Sequence, residues 1–245
     1  IRVDPVTGSQ SIVTTGDNFV EDNPVGVATE DTDSILVSNL DFGGTPSIKR
    51  IDADTGAIVN EFSGDLMGVP TDVVVNEEDK IFVTDASAFA GGTSEVIEIN
   101  PDSGVQSSVS LGGELLVPLA LTVEPDGNII VADAPLPMVP GGVNKLIRID
   151  TSVVIAPADV AIPDNQVILS QGDHISTTLT DVTAGYNGKI YAANGTNVID
   201  VDPVTGVQTL VATEPVVDSP TRIIVYFKEG IFEDSFEGDP PPPED

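Results

Sequence analysis

The sequence predicts an all-β fold, a five-bladed β-propeller of four-stranded blades, and three observations carry that expectation. Its 245 residues hold short runs rich in Val, Ile and Leu, separated by 23 Gly and 19 Pro, which is the texture of strands and turns. One segment, Val3-Asp4-Pro5-Val6-Thr7-Gly8, recurs letter for letter as Val201 to Gly206. Looser copies fall between these two at blade-like intervals, the spacing of four short strands and their turns.

Three series of segments define the unit. The looser turn copies are Ile51-Asp52-Ala53-Asp54-Thr55-Gly56 and Ile99-Asn100-Pro101-Asp102-Ser103-Gly104, with a degenerate one at Ile149-Asp150-Thr151-Ser152. The Asp or Asn of each copy stands at 4, 52, 100, 150 and 202. A second series runs Ile35 to Asn39, Ile81 to Asp85, Ile129 to Asp133 and Ile190 to Asn194. A third precedes it, starting at Pro24, Pro70, Pro118, Leu179 and Pro220. Each unit therefore reads as strand a after the Pro, strand b ending in Asp or Asn, strand c, and the Asp-x-x-Thr-Gly turn into strand d.

The two ends are out of phase with the repeat. The chain opens on a lone c–d pair, Ile1 to about Thr15, and closes on a lone a–b candidate, Thr221 to about Phe236. Joined, they would make a fifth, composite blade, which locks the ring and removes open sheet edges. Residues 1–237 thus read as one domain, with an insertion at about 152–178 whose core is Pro157 to Asn165. Residues 238–245 read as a Pro-rich acidic tail, extended through Pro240 to Pro243 as polyproline II. Ile231 to Glu237 fits strand b poorly and resembles an IFxDxFE motif at the C-terminus of exported gammaproteobacterial proteins.

Charge narrows the partners. Forty Asp and Glu against nine Lys and Arg give a formal net charge of -31, which argues against nucleic acid and anionic membrane surfaces. Without Cys, disulfides and thiolate chemistry are excluded. No apolar run approaches the roughly 18–20 residues of a membrane span; Pro118 interrupts the longest, Leu115 to Val123. The chain begins at Ile1 with no signal-like segment after it, so it reads as processed or as part of a longer precursor. The acidity suits an exported protein in a saline or calcium-containing medium.

Candidate sites are few. In the repeated turn, Asp or Asn accepts backbone N–H bonds and Gly supplies positive φ, a structural role. Asn39, Asp85, Asp133 and Asn194 end strand b and read as caps on the following loop. Acidic a–b turns make calcium the one metal to consider, with Glu30, Asp31 and Asp33 foremost; further acids are Glu77, Glu78, Asp79, Glu124 and Asp126. The third position of strand a gives Gly26, Asp72, Ala120, Asp181 and Arg222 at the mouth of the central channel. There Asp181 and Arg222, on adjacent blades, read as an inter-blade ion pair, or else as a ligand clamp; Asp72 is the third channel-mouth candidate.

The Pro-x-x-Val start, the Asp126 to Asp133 segment and the turn together resemble NHL-type and gluconolactonase/regucalcin-like propellers over nearly the whole chain. Hydrolases of that group hold a metal on Glu and Asn/Asp residues facing the channel, beginning near an N-terminal Glu-Gly-Pro, and that motif is absent. The paired His of streptogramin lyases is also missing, His174 being the only one, and there is no Trp as in quinone-dependent propellers. Arg at 2, 50, 148 and 222 forms no sialidase-type cluster. Eleven Phe and Tyr argue against a carbohydrate-stacking face. The reading is a non-enzymatic extracellular structural or interaction module, able to self-assemble through its composite blade as a monomer or head to tail. The alternative is a metal-dependent lactonase-like hydrolase or lyase.

Overall fold

The four complete units predicted from the repeat each fold as one antiparallel sheet. The computed structural model describes residues 1–4, 6–14, 23–31, 33–41, 44–64, 66–135, 142–153, 163–175, 179–185, 187–213 and 220–223. A two-stranded pair, β1 (Arg2–Val3) and β2 (Gln10–Ser11), comes first. Blade one is β3 (Asn23–Thr29), β4 (Ser34–Leu40), β5 (Ser47–Asp52) and β6 (Ile58–Ser63). Blade two is β7 (Pro70–Val75), β8 (Ile81–Asp85), β9 (Glu95–Ile99) and β10 (Gln106–Leu111). Blade three is β11 (Pro118–Val123), β12 (Ile129–Asp133), β13 (Lys145–Ile149) and β14 (Gln166–Gln171). Blade four is β15 (Leu179–Ala184), β16 (Ile190–Asn194), β17 (Asn197–Val201) and β18 (Gln208–Ala212).

Burial explains the composition of each strand. The b strands β8 and β12 are buried along their whole length, so they read as unbroken apolar runs rather than alternating ones. The d strands are mostly exposed and form the outer edges. The core lies between blades rather than within one. Val73, Ile81 and Ile97 of blade two pack on Leu36 and Ile48 of blade one, and equivalent clusters join blades two and three and blades three and four.

The repeated turn has the expected mechanics. Asp202 Oδ1 accepts the N–H groups of Val204 (3.0 Å) and Thr205 (2.7 Å), and Asp4 and Asp52 do the same in their copies. These backbone donors, with the Thr hydroxyl, hold the carboxyls of Asp4, Asp52 and Asp202 below their ordinary value. Gly206, at φ +70°, also lies against strand d of the preceding blade: a Cβ there would stand 3.1 Å from the backbone carbon of Leu169. Gly56 meets Val13 in the same way, at 3.0 Å. The β1–β2 pair therefore precedes blade one as a c–d pair should.

Two expectations change in detail. Strand β14 lies within the stretch 152–178 that the sequence suggests is an insertion, so that stretch contains the fourth strand of blade three; 154–162 fall outside the described residues. The b-strand acids Asp85 and Asp133 cap the loop entering strand a, and of the two only Asp85 also caps the one that follows among the described residues, its Oδ1 accepting the Ser87 N–H at 2.9 Å. Asp85 Oδ2 accepts the N–H groups of Gly68 (2.8 Å) and Val69 (2.7 Å), and Asp133 Oδ1 those of Leu116 (2.8 Å) and Val117 (2.6 Å). Of the closing a–b candidate only Thr221 to Ile223 is described, so the fifth blade, the IFxDxFE-like segment and the tail at 238–245 lie outside the described residues. Among the described residues no helix is long and apolar enough to cross a membrane.

Candidate functional site

The a strands run side by side, β3 beside β7, β7 beside β11 and β11 beside β15, and enclose the channel. Every one of the four carries a bulge, at Val25, Thr71, Leu119 and Thr180, so the register shifts between Pro24 and Gly26, Pro70 and Asp72, Pro118 and Ala120, and Leu179 and Asp181. A bulge bends the strand and re-aims the residue after it. Proline suits the first position because its missing N–H breaks no ladder there.

The structure brings together the three channel-mouth residues singled out from the sequence. Arg222 Nη1 donates to Asp72 Oδ1 at 3.0 Å and to Asp181 Oδ1 at 3.4 Å, and Nη2 donates to the Val25 carbonyl. One guanidinium thus touches blades one, two and four. Gly26 completes the layer: a Cβ at that position would lie 2.8 Å from the Asp72 Cα, so the close approach of β3 to β7 requires glycine. Above this charged floor opens a cavity of about 460 Å³, walled in part by Val27, Val73, Leu121, Val182 and Ile223.

Residues 220–223 bond to blade four as the start of β11 bonds to blade two. Thr71 Oγ1 donates to the Pro118 carbonyl at 2.7 Å, and Thr180 Oγ1 to the Pro220 carbonyl at 2.8 Å. Asp72 Oδ2 accepts the Leu121 N–H at 3.3 Å, and Asp181 Oδ2 accepts the Ile223 N–H at 2.6 Å. Burial pushes the Asp72 carboxyl up to about 6, against the opposing pull of Arg222. Asp181 is also raised by burial, with the Ile223 N–H and Arg222 working against it.

The calcium candidates are otherwise engaged. Glu30 forms a two-pronged pair with Arg50, whose Nε lies 2.6 Å from Glu30 Oε2. Asp31 Oδ1 accepts the N–H groups of Asp33 (2.7 Å) and Ser34 (2.6 Å), and the Asp33 carbonyl accepts the Ala53 N–H at 2.6 Å. Glu124 pairs in two prongs with Arg148 at 2.6 and 2.7 Å. Among the described residues no three Asp, Glu or His side chains gather closely enough to hold a metal ion. His174 acts through its main chain, its N–H donating to Gln208 Oε1 at 2.8 Å.

Two features escaped sequence reasoning. Gln106, Gln166 and Gln208 open the d strands of blades two, three and four, and each clamps the exit of the preceding d strand, as in Gln166 Oε1 accepting the Glu114 N–H at 2.7 Å. Their identical place in the repeat was the available signal. The second is Glu95, which stands directly opposite Asp85 in the ladder. Its Oε2 is buried without a hydrogen-bond partner, and burial pushes the carboxyl up to about 7.

No protein-family model matches the chain, and no curated protein matches its sequence. Solved structures do resemble it. A gluconolactonase from Xanthomonas campestris shares 15% identity at a TM-score of 0.54, over 81% of this chain and 77% of that one. A gluconolactonase-family protein shares 15% identity at 0.56, over 77% and 62%. Hydrazine synthase of Kuenenia stuttgartiensis shares 16% at 0.54, over 85% and 53%. This chain therefore spans under two thirds of the length of the last two. At such identities the likeness is one of fold: a β-propeller of four-stranded blades.

Proposed function

We propose that the chain is a non-enzymatic structural or interaction module, exported to the cell surface or beyond, whose ring closes on a fifth blade assembled from both termini. The observation that carries this reading is the Arg222 cluster. The two channel carboxylates are spent on fastening a terminal segment, not left open to a substrate or metal. Residues 220–223 repeat the bonding of a strand a, and β1–β2 precedes blade one as a c–d pair, so each terminus supplies one half of a blade. The -31 charge supports a soluble exported protein whose partners are proteins, itself included, rather than nucleic acid.

A second reading, a metal-dependent lactonase-like hydrolase, is favoured by the cavity above Asp72 and Asp181 and by the fold of its structural neighbours. Calorimetric titration of calcium, zinc and manganese into chelator-treated protein separates the two, run beside a lactone-hydrolysis assay. The module reading expects neither stoichiometric binding nor turnover. One equivalent of metal, lost in Asp72→Asn together with turnover, would establish the hydrolase instead.

A further inference from the structure

The fifth inner position is a seat with its own chemistry. Thr180 and Asp181 of blade four grip the backbone of the incoming segment at Pro220 and Ile223. Asp72 and Asp181 receive its guanidinium through Nη1, and the Val25 carbonyl of blade one accepts from Nη2. Arg is the side chain whose planar fork can serve three acceptors at once. The seat selects an extended segment with Arg at its third residue, and among four Arg in the chain only Arg222 stands at the third position of a strand a.

None of these gripping groups belongs to the same blade as the segment they hold. The other half of that blade is fastened elsewhere: Arg2 Nη2 donates to the Ala53 carbonyl of blade one at 2.7 Å, and Val13 lies against Gly56. The seat reads two backbone groups and one guanidinium, which are the same in every copy of the chain. Nothing in that recognition separates a strand arriving from the same molecule from one arriving from another, the condition under which identical elements are exchanged.

We propose that this seat is a strand-exchange interface, taking Pro220–Ile223 of a second copy, with its Arg222 between Asp72 and Asp181, and so joining two chains. The inference rests on the reading of the fifth blade as a joint product of both termini. Two copies each carrying the -31 charge repel at low salt, and screening at about 0.5 M salt confines that repulsion to a few ångströms.

Complementation between two full-length variants tests it. Arg222→Ala keeps the seat and spoils the strand; the double variant Asp72→Asn/Asp181→Asn keeps the strand and spoils the seat. Each alone should run as a monomer by light scattering at about 100 µM in 0.5 M salt. Mixed, unfolded together and refolded together, they should yield a 1:1 heterodimer, since one strand and one seat remain intact. A mixture that stays monomeric, while both variants keep the native circular dichroism spectrum, overturns the exchange. The reading beneath it is tested separately, by whether each single variant melts below the parent protein. If either variant fails to fold, Arg222→Lys and Asp181→Asn carry the same comparison.

Discussion

Replacing Glu95 by Gln should stabilise the protein at pH 8 and do nothing useful at pH 4. The ladder explains why. Residues opposite the strand-b acids are Lys145 facing Asp133 in blade three and Glu95 facing Asp85 in blade two. Blade three answers its acid with a cation, and that cation is itself held by Glu114 at 2.5 Å. Blade two answers with a second carboxyl, whose Oε2 is buried and unpartnered.

The carboxyl of Glu95 is raised from 4.5 to about 7 by burial first and by the Asp85 charge as well. The folded state therefore holds its proton more tightly than the unfolded chain. Below about pH 4.5 both states are protonated and the group contributes nothing. As pH rises through the interval to 7, stability falls. Two to three pKa units at 1.36 kcal/mol each place the penalty at roughly 3 kcal/mol above pH 7, an upper figure because the site can relax. The Gln amide needs its own partners, at a cost of about 1 kcal/mol. A net gain of about 1–2 kcal/mol at pH 8 remains, or roughly 2–8 °C in melting temperature. Urea unfolding of both proteins from pH 4 to pH 8 measures it. Parallel stability curves over that range would refute the reasoning, because they would mean that Glu95 does not titrate differently in the folded state.

Two further outcomes follow from the same structure. Gly206→Ala should cost more than Gly8→Ala: both sit near φ +70°, worth about 1 kcal/mol in each, but only at 206 does a Cβ run into the Leu169 backbone. Equal losses in thermal melts would remove the proposed packing of the turn against the preceding blade. Arg222→Ala should destabilise by about 2–4 kcal/mol at pH 8, where two buried carboxylates lose their cation. At pH 5 the loss should shrink, since the Asp72 carboxyl, raised to about 6, is then mostly protonated. The same loss at both pH values in urea titrations would dissociate Asp72 from Arg222.

Much of the site could be read from the sequence because the repeat works as a coordinate system. Placing Asp72, Asp181 and Arg222 at one position of strand a required only alignment of the units. That Arg222 spans both acids and reaches Val25 was not legible, because it relates three blades far apart in the sequence and not a neighbouring pair. Strand β14 was hidden for a local reason. Its turn, Asp150-Thr151-Ser152, keeps the capping acid, with Ser152 N–H and Oγ on Asp150 Oδ1 at 2.9 and 2.6 Å, but lacks the Gly that marks the way into strand d in the other copies. The pairs Glu30–Arg50 and Glu124–Arg148 were obscured because the b–c loops differ in length, so the Glu and Arg fall 20 and 24 residues apart.

The buried acids show what the channel cluster is for. Asp133 accepts two backbone N–H groups and lies near Lys145, yet its carboxyl is still pushed up to about 6 by burial. Asp72, with backbone donors and Arg222, reaches about the same value, and Glu95 climbs to about 7. Burial outweighs the compensating partners in each case. An apolar trio in place of Asp72, Asp181 and Arg222 would therefore hold the ring at least as firmly, as replacements of buried ion pairs often do. What an apolar trio would not do is choose. Val-, Ile- and Leu-rich strands are everywhere in this chain, and a greasy fifth seat would accept several of them in several registers. Two buried carboxylates accept one segment in one register, because every other alignment leaves them without a cation. In the proposed five-blade ring the cluster is the element that decides which strand takes the fifth place, at some expense of stability.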